Sequence, residues 1–114
     1  MQVEIFSGEI LIGRSNLDQL DPPMGVAMGA FVPTEAYDRI RHANSIEGEF
    51  IAYNGLTLIV RSSEYGEIVH QGVHIEDYSD NLAEIQISVI GIPYPEYESY
   101  FSEYDHYRKY NDLD

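Results

Sequence analysis

Two histidines, His70 and His74, offer the clearest metal-ligand chemistry in the sequence. On a helix, this four-residue spacing would bring both imidazoles to one face, within reach of a single ion. The apolar β-formers Val73 and Ile75, together with Gly72, favour a strand or a turn instead. In a strand, Cα atoms four residues apart are separated by about 13 Å. That distance is too long for a shared ion, and we predict neither a metal nor a cofactor.

The other reactive side chains do not form a pattern that specifies a reaction. Asp77, Asp80 and Asn81 make an oxygen-rich segment, but its spacing differs from that of a calcium loop and is typical of a turn. Twenty Asp and Glu residues must place some carboxylates at the separations that glycosidases use, so proximity alone has no diagnostic value. There is no cysteine and no Gly-x-Ser-x-Gly motif. The sequence therefore does not predict an enzyme.

The C-terminal segment combines aromatic and acidic side chains at helical spacing. Its steps of three and four residues predict a helix from about residue 96 to residue 109, with Pro95 in the first turn and a frayed acidic tail beyond. Such a stripe is usually buried, but tyrosine carries a hydroxyl that needs a partner and is enriched at interfaces. We therefore predict that part of the stripe is half exposed. Its members are Tyr97, Tyr100, Phe101, Tyr104 and Tyr107.

Tyrosine next to Glu and Asp is suited to binding Arg and Lys, because carboxylates pair with the cation while the ring face attracts it.

A second candidate contact is the loop at residues 21–25, where two adjacent prolines form a stiff ridge and Met24 supplies an apolar tip. The alternative is a rigid connection with Met24 folded onto the core. The predicted partner-binding residues are Asp21, Met24, Tyr97, Glu98, Tyr100, Glu103, Tyr104, Asp105 and Tyr107.

The charge of the chain restricts its partners. The formal net charge is −14, with 20 acidic residues against 6 basic ones. Binding a phosphate backbone requires clustered Lys and Arg, so we predict no direct nucleic-acid binding, and the same field repels anionic membranes. Basic proteins are the natural partners. The absence of cysteine and of a secretory signal predicts a cytoplasmic protein.

Several short β-rich segments position these residues. Residues 3–6 and 9–12 predict either a hairpin around Ser7-Gly8 or one bulged strand. Residues 14–24 predict a loop, and residues 25–32 predict a strand that is at least partly covered on both faces. Gly25 and Gly29, which flank that strand, indicate close backbone packing or a bulge. Asn54-Gly55 predicts a hairpin turn between residues 49–53 and 56–60, and further strands are predicted within 67–78 and 82–92.

The whole chain, residues 1–114, is predicted to form one globular domain. Thr34 and Glu35 predict the start of a short helix near residues 35–42. We expect an α+β fold in which a mainly antiparallel sheet of six or seven short strands is covered by that helix and the C-terminal one. A small, partly open barrel with the C-terminal helix at one end is the alternative.

The size, the charge and the aromatic–acidic composition resemble those of immunity proteins from bacterial toxin systems. This resemblance, which no motif supports, implies a small acidic module that neutralises a basic partner, either a toxin or a nucleic-acid-binding protein. A small-molecule-binding or enzymatic domain with a pocket in the sheet is the alternative, with His70, His74, Arg61 or Tyr53 as ligand contacts. A structural subunit of an oligomer, with the tyrosine-rich helix as its interface, is a third hypothesis.

Overall fold

A computed structural model of the protein describes residues 1–51 and 57–104. These residues form ten strands, two α-helices and a 3₁₀ turn at Pro22–Met24. The helices are α1 (Arg39–His42) and α2 (Tyr94–Phe101). The strands are β1 (Gln2–Ser7), β2 (Ile10–Asn16), β3 (Gln19–Asp21), β4 (Val26–Pro33), β5 (Ser45–Ile46), β6 (Glu49–Phe50), β7 (Leu58–Ser62), β8 (Gly66–Glu67), β9 (Gly72–Tyr78) and β10 (Glu84–Ile90).

All ten strands belong to one sheet with the order β6-β5-β9-β10-β4-β2-β1-β7-β8, and β3 pairs with β4 beside this path. Every pairing is antiparallel except that of β5 with β9. The mainly antiparallel sheet confirms the coarse prediction, but the count of six or seven strands is wrong. The additional strands are two or three residues long, too short to show an alternating pattern, and they are defined by their pairing partners.

The first hairpin forms as one of the two predicted alternatives. β1 and β2 pair from Gln2 opposite Asn16 to Ser7 opposite Ile10, with an irregularity in register between Ile5 and Phe6. Gly8 in the turn has a positive φ of 63°, a conformation that glycine adopts without steric cost. The loop predicted at residues 14–24 is wrong in part, because β2 continues to Asn16 and β3 pairs with β4.

β4 is the central strand and lies between β10 and the β2–β3 segment. Its residues Ala27, Gly29 and Phe31 are buried, whereas Ala30 and Val32 are exposed, so only one face is fully covered. A side chain at Gly29 would place its Cβ 2.1 Å from the backbone oxygen of Asn16. Gly29 therefore permits the close approach of two backbones, as its position in the sequence predicts.

The sheet cannot be flat. In a flat sheet, the seven strand spacings between β6 and β7 would separate these strands by roughly 34 Å. The chain that connects Phe50 to Leu58 can span at most about 29 Å. The sheet must therefore curve. One hydrophobic core includes buried residues from both halves of the sheet, among them Val3, Ile5, Val60, Ile75, Ile87 and Val89.

The Asn54-Gly55 turn lies outside the described residues, but the described parts of its two flanking segments do not pair with each other. β6 pairs with β5, and β7 pairs with β1 and β8. The predicted pairing is therefore wrong over these residues. The physical reason is that longer-range partners, β1 in particular, offer β7 a full register of five residue pairs.

The helix predicted near residues 35–42 is shorter than expected. α1 begins at Arg39, and its N-cap is Asp38, whose Oδ1 accepts a hydrogen bond from the Ile40 N–H at 3.0 Å. Thr34 instead accepts a hydrogen bond from the Ala36 N–H in a preceding turn and donates its hydroxyl proton to the carbonyl oxygen of Leu11. The Thr34 hydroxyl is thus used to anchor the turn to the sheet.

Candidate functional site

The tyrosine-rich helix α2 packs its aromatic stripe into the core. Tyr97 is 3 % exposed, Tyr100 is 8 % exposed, and Phe101 is fully buried. The Tyr97 hydroxyl donates to the carbonyl oxygen of Val26 at 2.8 Å, and the Tyr100 hydroxyl accepts from the Val69 N–H at 3.2 Å. These tyrosines act as core residues whose hydroxyls satisfy the backbone of neighbouring segments.

This arrangement limits the half-exposed part of the stripe, among the described residues, to Tyr104. The structure places Tyr97 and Tyr100 where a partner cannot reach them, while Tyr104 is half-buried and Glu98 and Glu103 are exposed. The helix also begins two residues earlier than predicted and ends at Phe101, with Ser102–Tyr104 forming a turn. Asp105 and Tyr107, the remaining C-terminal candidates, lie outside the described residues.

The turn between β7 and β8 brings a further tyrosine, Tyr65, to the C-terminal end of α2. Its hydroxyl donates to the carbonyl oxygen of Ser99 at 2.9 Å, one of the helix-terminal carbonyls that lack a partner within the helix. Its ring meets the Tyr100 ring edge to face, with centroids 5.0 Å apart. Sequence reasoning missed Tyr65, because nothing in its local pattern indicates contact with a helix more than thirty residues away.

Acidic side chains surround this contact. Partial burial raises the pKa of Tyr65, and the carboxylates of Glu64 and Glu103 and the Tyr104 side chain add to the effect. Burial also raises the pKa of Tyr104, with a further contribution from Glu64. Glu64 adjoins Tyr65 in the chain, and Glu103 and Tyr104 follow α2 directly. Because Tyr65 contacts the end of α2, these four residues lie at one location, which we name the acidic–aromatic surface.

The end of α2 adds to the negative potential of the acidic–aromatic surface. A helix C-terminus carries a partial negative charge, which basic residues in the last turn usually balance. The last turn of α2 contains no basic residue. Tyr65 is 38 % exposed, so part of its ring is available at the same place. This arrangement provides carboxylates, a partly exposed aromatic side chain and a helix C-terminus for binding a cation.

The loop with Asp21 and Met24 lies at the other end of α2. Met24 is 68 % exposed and Asp21 is half-buried. Gly25 follows with a positive φ of 64°, and its carbonyl oxygen accepts from the Ile92 N–H just before the helix. Met24 is therefore an exposed apolar tip rather than a core residue. An eight-residue helix is about 12 Å long, so the structure separates the two predicted contact regions by roughly that distance.

A buried polar network centres on Asp77, which is 1 % exposed. Its Oδ2 accepts a hydrogen bond from the Tyr37 hydroxyl at 2.7 Å, and its Oδ1 accepts from the hydroxyl and the N–H of Ser79. Arg39 lies 3.5 Å from Asp77 Oδ1 and 3.0 Å from Asp80 Oδ2. The network joins α1 to the β9–β10 turn, which fits the structural interpretation of this acidic segment.

The ionisation of Asp77 follows from these contacts. Burial raises the pKa of its carboxyl group, but hydrogen bonds from Ser79 and Tyr37, together with the charge of Arg39, outweigh that effect. The pKa of Asp77 therefore lies below its ordinary value. Burial and the Asp77 carboxylate raise the pKa of Tyr37. Asp77 is a charged group with its oxygens occupied, and it has no open face towards a substrate.

The two histidines considered as metal ligands, His70 and His74, do not lie on a helix. His74 is within β9, and His70 precedes that strand; both are half-buried. Burial lowers the pKa of His70. Within residues 1–51 and 57–104, no group of three His, Cys, Asp or Glu side chains has the geometry to hold a metal ion.

Comparison with protein-family models, with curated proteins and with solved structures finds no match to the chain. Among the described helices, none is long and apolar enough to cross a membrane.

Proposed function

We propose that the protein is a small acidic binding module that neutralises a basic protein partner, in the manner of an immunity protein or toxin inhibitor. The observation that carries this proposal is the acidic–aromatic surface. It combines carboxylates from two segments with tyrosine rings at a helix C-terminus that has no basic residue in its last turn. The net charge of −14 supports a basic partner.

The proposed contact is a Lys or Arg side chain of the partner. Its cation would meet the carboxylates of Glu64 and Glu103, and its aliphatic stem would lie against the exposed part of the Tyr65 ring. A cation over an aromatic ring contributes about 0.5–2 kcal/mol, depending on its desolvation. The overall charge acts before this contact forms, because a strongly acidic surface accelerates the diffusional encounter with a basic protein.

Two further elements of the predicted site fit this proposal. Glu98 is exposed on α2 and extends the negative surface along the helix. Met24 is exposed beside the start of the same helix and provides an apolar contact about 12 Å away. A partner that covers α2 lengthwise would contact both ends, so the interface would join a charged region to an apolar one.

The test begins with affinity capture of the partner at low salt. Association rates are then measured for a double variant, Glu64→Gln with Glu103→Gln. The matched control is Glu9→Gln with Glu84→Gln, which changes the net charge by the same amount. Glu9 lies in the β1–β2 turn, and Glu84 begins β10; both positions are exposed and remote from the acidic–aromatic surface.

We expect the site variant to associate roughly threefold to tenfold more slowly at low salt, and the control to change much less. Equal rates for the two variants would show that only total charge matters and would contradict the site. Capture of a second copy of the same chain, with light scattering that reports a stable oligomer, would instead support the structural-subunit hypothesis.

A further inference from the structure

A cavity of about 230 Å³ lies between α1 and the β1–β2 hairpin. The hairpin contributes Ser7, Ile10 and Ile12, and α1 contributes Arg41 and His42. Ser7 pairs with Leu58, at the end of β7 opposite to Ser62 and the turn that carries Tyr65. The cavity is therefore separate from the acidic–aromatic surface, and what it binds is independent of the proposed function.

His42 is the polar centre of this cavity. Its side chain is buried, with 4 % of the residue exposed, and its ring stacks on Tyr37 with centroids 5.8 Å apart. Nδ1 accepts a hydrogen bond from the Asp38 N–H at 2.9 Å, so Nδ1 carries no proton. Burial lowers the pKa of His42, and Arg41 lowers it further. The imidazole is therefore neutral near pH 7, with its proton on Nε2.

The Nε2–H group has no hydrogen-bond acceptor among the described residues, although His42 itself is more than nine-tenths buried. Buried donors in folded proteins are normally paired. Nε2 is also not one of the fully enclosed unpaired atoms of this region, so it retains accessible surface, and His42 is one of the residues that line the cavity. A fixed donor thus faces a cavity whose lining combines apolar residues, Ile10, Ile12 and Ala36, with the polar residues Ser7, Asp38 and Arg41.

This tautomer excludes one activity. In a serine hydrolase, the histidine accepts the serine proton on an unprotonated Nε2 while its Nδ1–H donates to a carboxylate. In this protein, Nε2 already holds the proton and Nδ1 is the acceptor. In this tautomer, His42 therefore cannot accept a proton from Ser7.

We infer that the cavity binds an uncharged small molecule with a carbonyl oxygen next to a short branched alkyl group. The carbonyl oxygen accepts a hydrogen bond from His42 Nε2–H, and the alkyl group contacts the exposed side chain of Ile10. Arg41 and Asp38, which carry opposite charges, both line the cavity. The charge of the lining therefore favours neither a cationic nor an anionic ligand. The net charge of −14 disfavours anionic ligands.

The test is a titration of the ¹⁵N-labelled full chain with 4-methylpentan-2-one, followed by NMR. We expect saturable shifts of the His42 Nε2 resonance and of the Ile12 amide, with a dissociation constant in the millimolar range. Two ligands of similar shape serve as comparisons, 4-methylpentan-2-amine as its ammonium ion and 4-methylpentanoate. We expect both to bind at least about tenfold more weakly, because neither presents a neutral carbonyl acceptor.

The decisive variant is His42→Asn. The Asn oxygen can replace Nδ1 as acceptor for the Asp38 N–H, while the Nε2–H donor is lost. We expect this variant to bind the ketone about tenfold more weakly, and the control His74→Asn, outside the cavity, to bind it normally. Absent or unsaturable shifts, equal binding of the three ligands, or unchanged affinity in His42→Asn would overturn the inference. Should His42→Asn not fold, the three-ligand comparison on the natural sequence decides.

Discussion

Replacing Tyr37 by Phe removes one hydroxyl from the buried network around Asp77. The aromatic ring remains, so its packing against Phe31 and its stacking on His42 are kept. What is lost is the 2.7 Å hydrogen bond from the Tyr37 hydroxyl to Asp77 Oδ2. The substitution therefore isolates one polar contact to a carboxylate that is 1 % exposed.

The expected cost follows from the charge of the acceptor. A hydrogen bond to a charged group contributes about 1.5–3 kcal/mol, more than one between neutral groups. Oδ1 of Asp77 keeps its contacts with Ser79 and Arg39, so the carboxylate is not left without partners. We expect Tyr37→Phe to lower the free energy of unfolding by about 2 kcal/mol. For a domain of this size, that corresponds to a decrease of roughly 8 °C in Tm.

The assay is urea unfolding at pH 7, monitored by circular dichroism, with the slope m compared between variants. The matched control is Tyr78→Phe, which removes a hydroxyl that donates to the half-buried Glu76 at 3.1 Å. We expect this control to cost less than about 1 kcal/mol. A loss below about 0.5 kcal/mol for Tyr37→Phe, or equal losses for the two variants, would refute the view that burial of Asp77 strengthens its contacts.

Two further predictions concern the fold. Gly29→Ala should destabilise the protein by about 3 kcal/mol or more, because its Cβ would lie 2.1 Å from the Asn16 backbone oxygen. The control is Gly72→Ala, whose Cβ would have no atom within 4 Å. Comparable urea midpoints for the two variants would contradict the packing argument. The lowered pKa of Asp77 means that its stabilising contribution is present above the ordinary Asp pKa and is lost as the pH falls through the folded-state value. Asp77→Asn should therefore reduce the slope of stability against pH in this acidic range, and an unchanged slope would show that other carboxylates determine it.

Local patterns in the sequence predict part of this fold correctly. The alternation in β10 places Ile85, Ile87 and Val89 in the core, because a strand presents successive side chains to opposite faces. Gly25 and Gly29 are positions of close backbone packing, where any larger residue would collide. The alternation in β10 depends on neighbouring residues alone and can be recognised without knowing the topology. The glycines indicate a close approach, but the segments that approach them, at Ile92 and Asn16, are distant in the chain.

The missed side-chain pairs and short strands depend on contacts between distant segments. Tyr37 and Asp77 are forty residues apart, and Tyr65 and Ser99 are separated by thirty-four. No local period indicates such pairs. The same reason explains the underestimated strand count, because a two-residue strand such as β5 is defined only by its pairing with β6 and β9.

The tyrosines of the C-terminal segment show why residue type alone could not locate the surface. In the sequence, tyrosine in place of Leu or Phe indicates that these side chains are partly exposed. The structure uses Tyr97 and Tyr100 differently, because their hydroxyls satisfy the backbone of Val26 and Val69 inside the fold. The tyrosine with both ring exposure and acidic neighbours is Tyr65, which lies outside the helix.

The end of α2 also breaks a rule that favours stability. A basic residue in the last turn of a helix typically contributes about 0.3–1 kcal/mol, yet this turn has none, and Glu103 follows it closely. Local rules are most often broken where a protein's function requires it. The absence of a basic residue at this position is therefore a physical reason, independent of total charge, to direct the first binding experiments at the C-terminal end of α2.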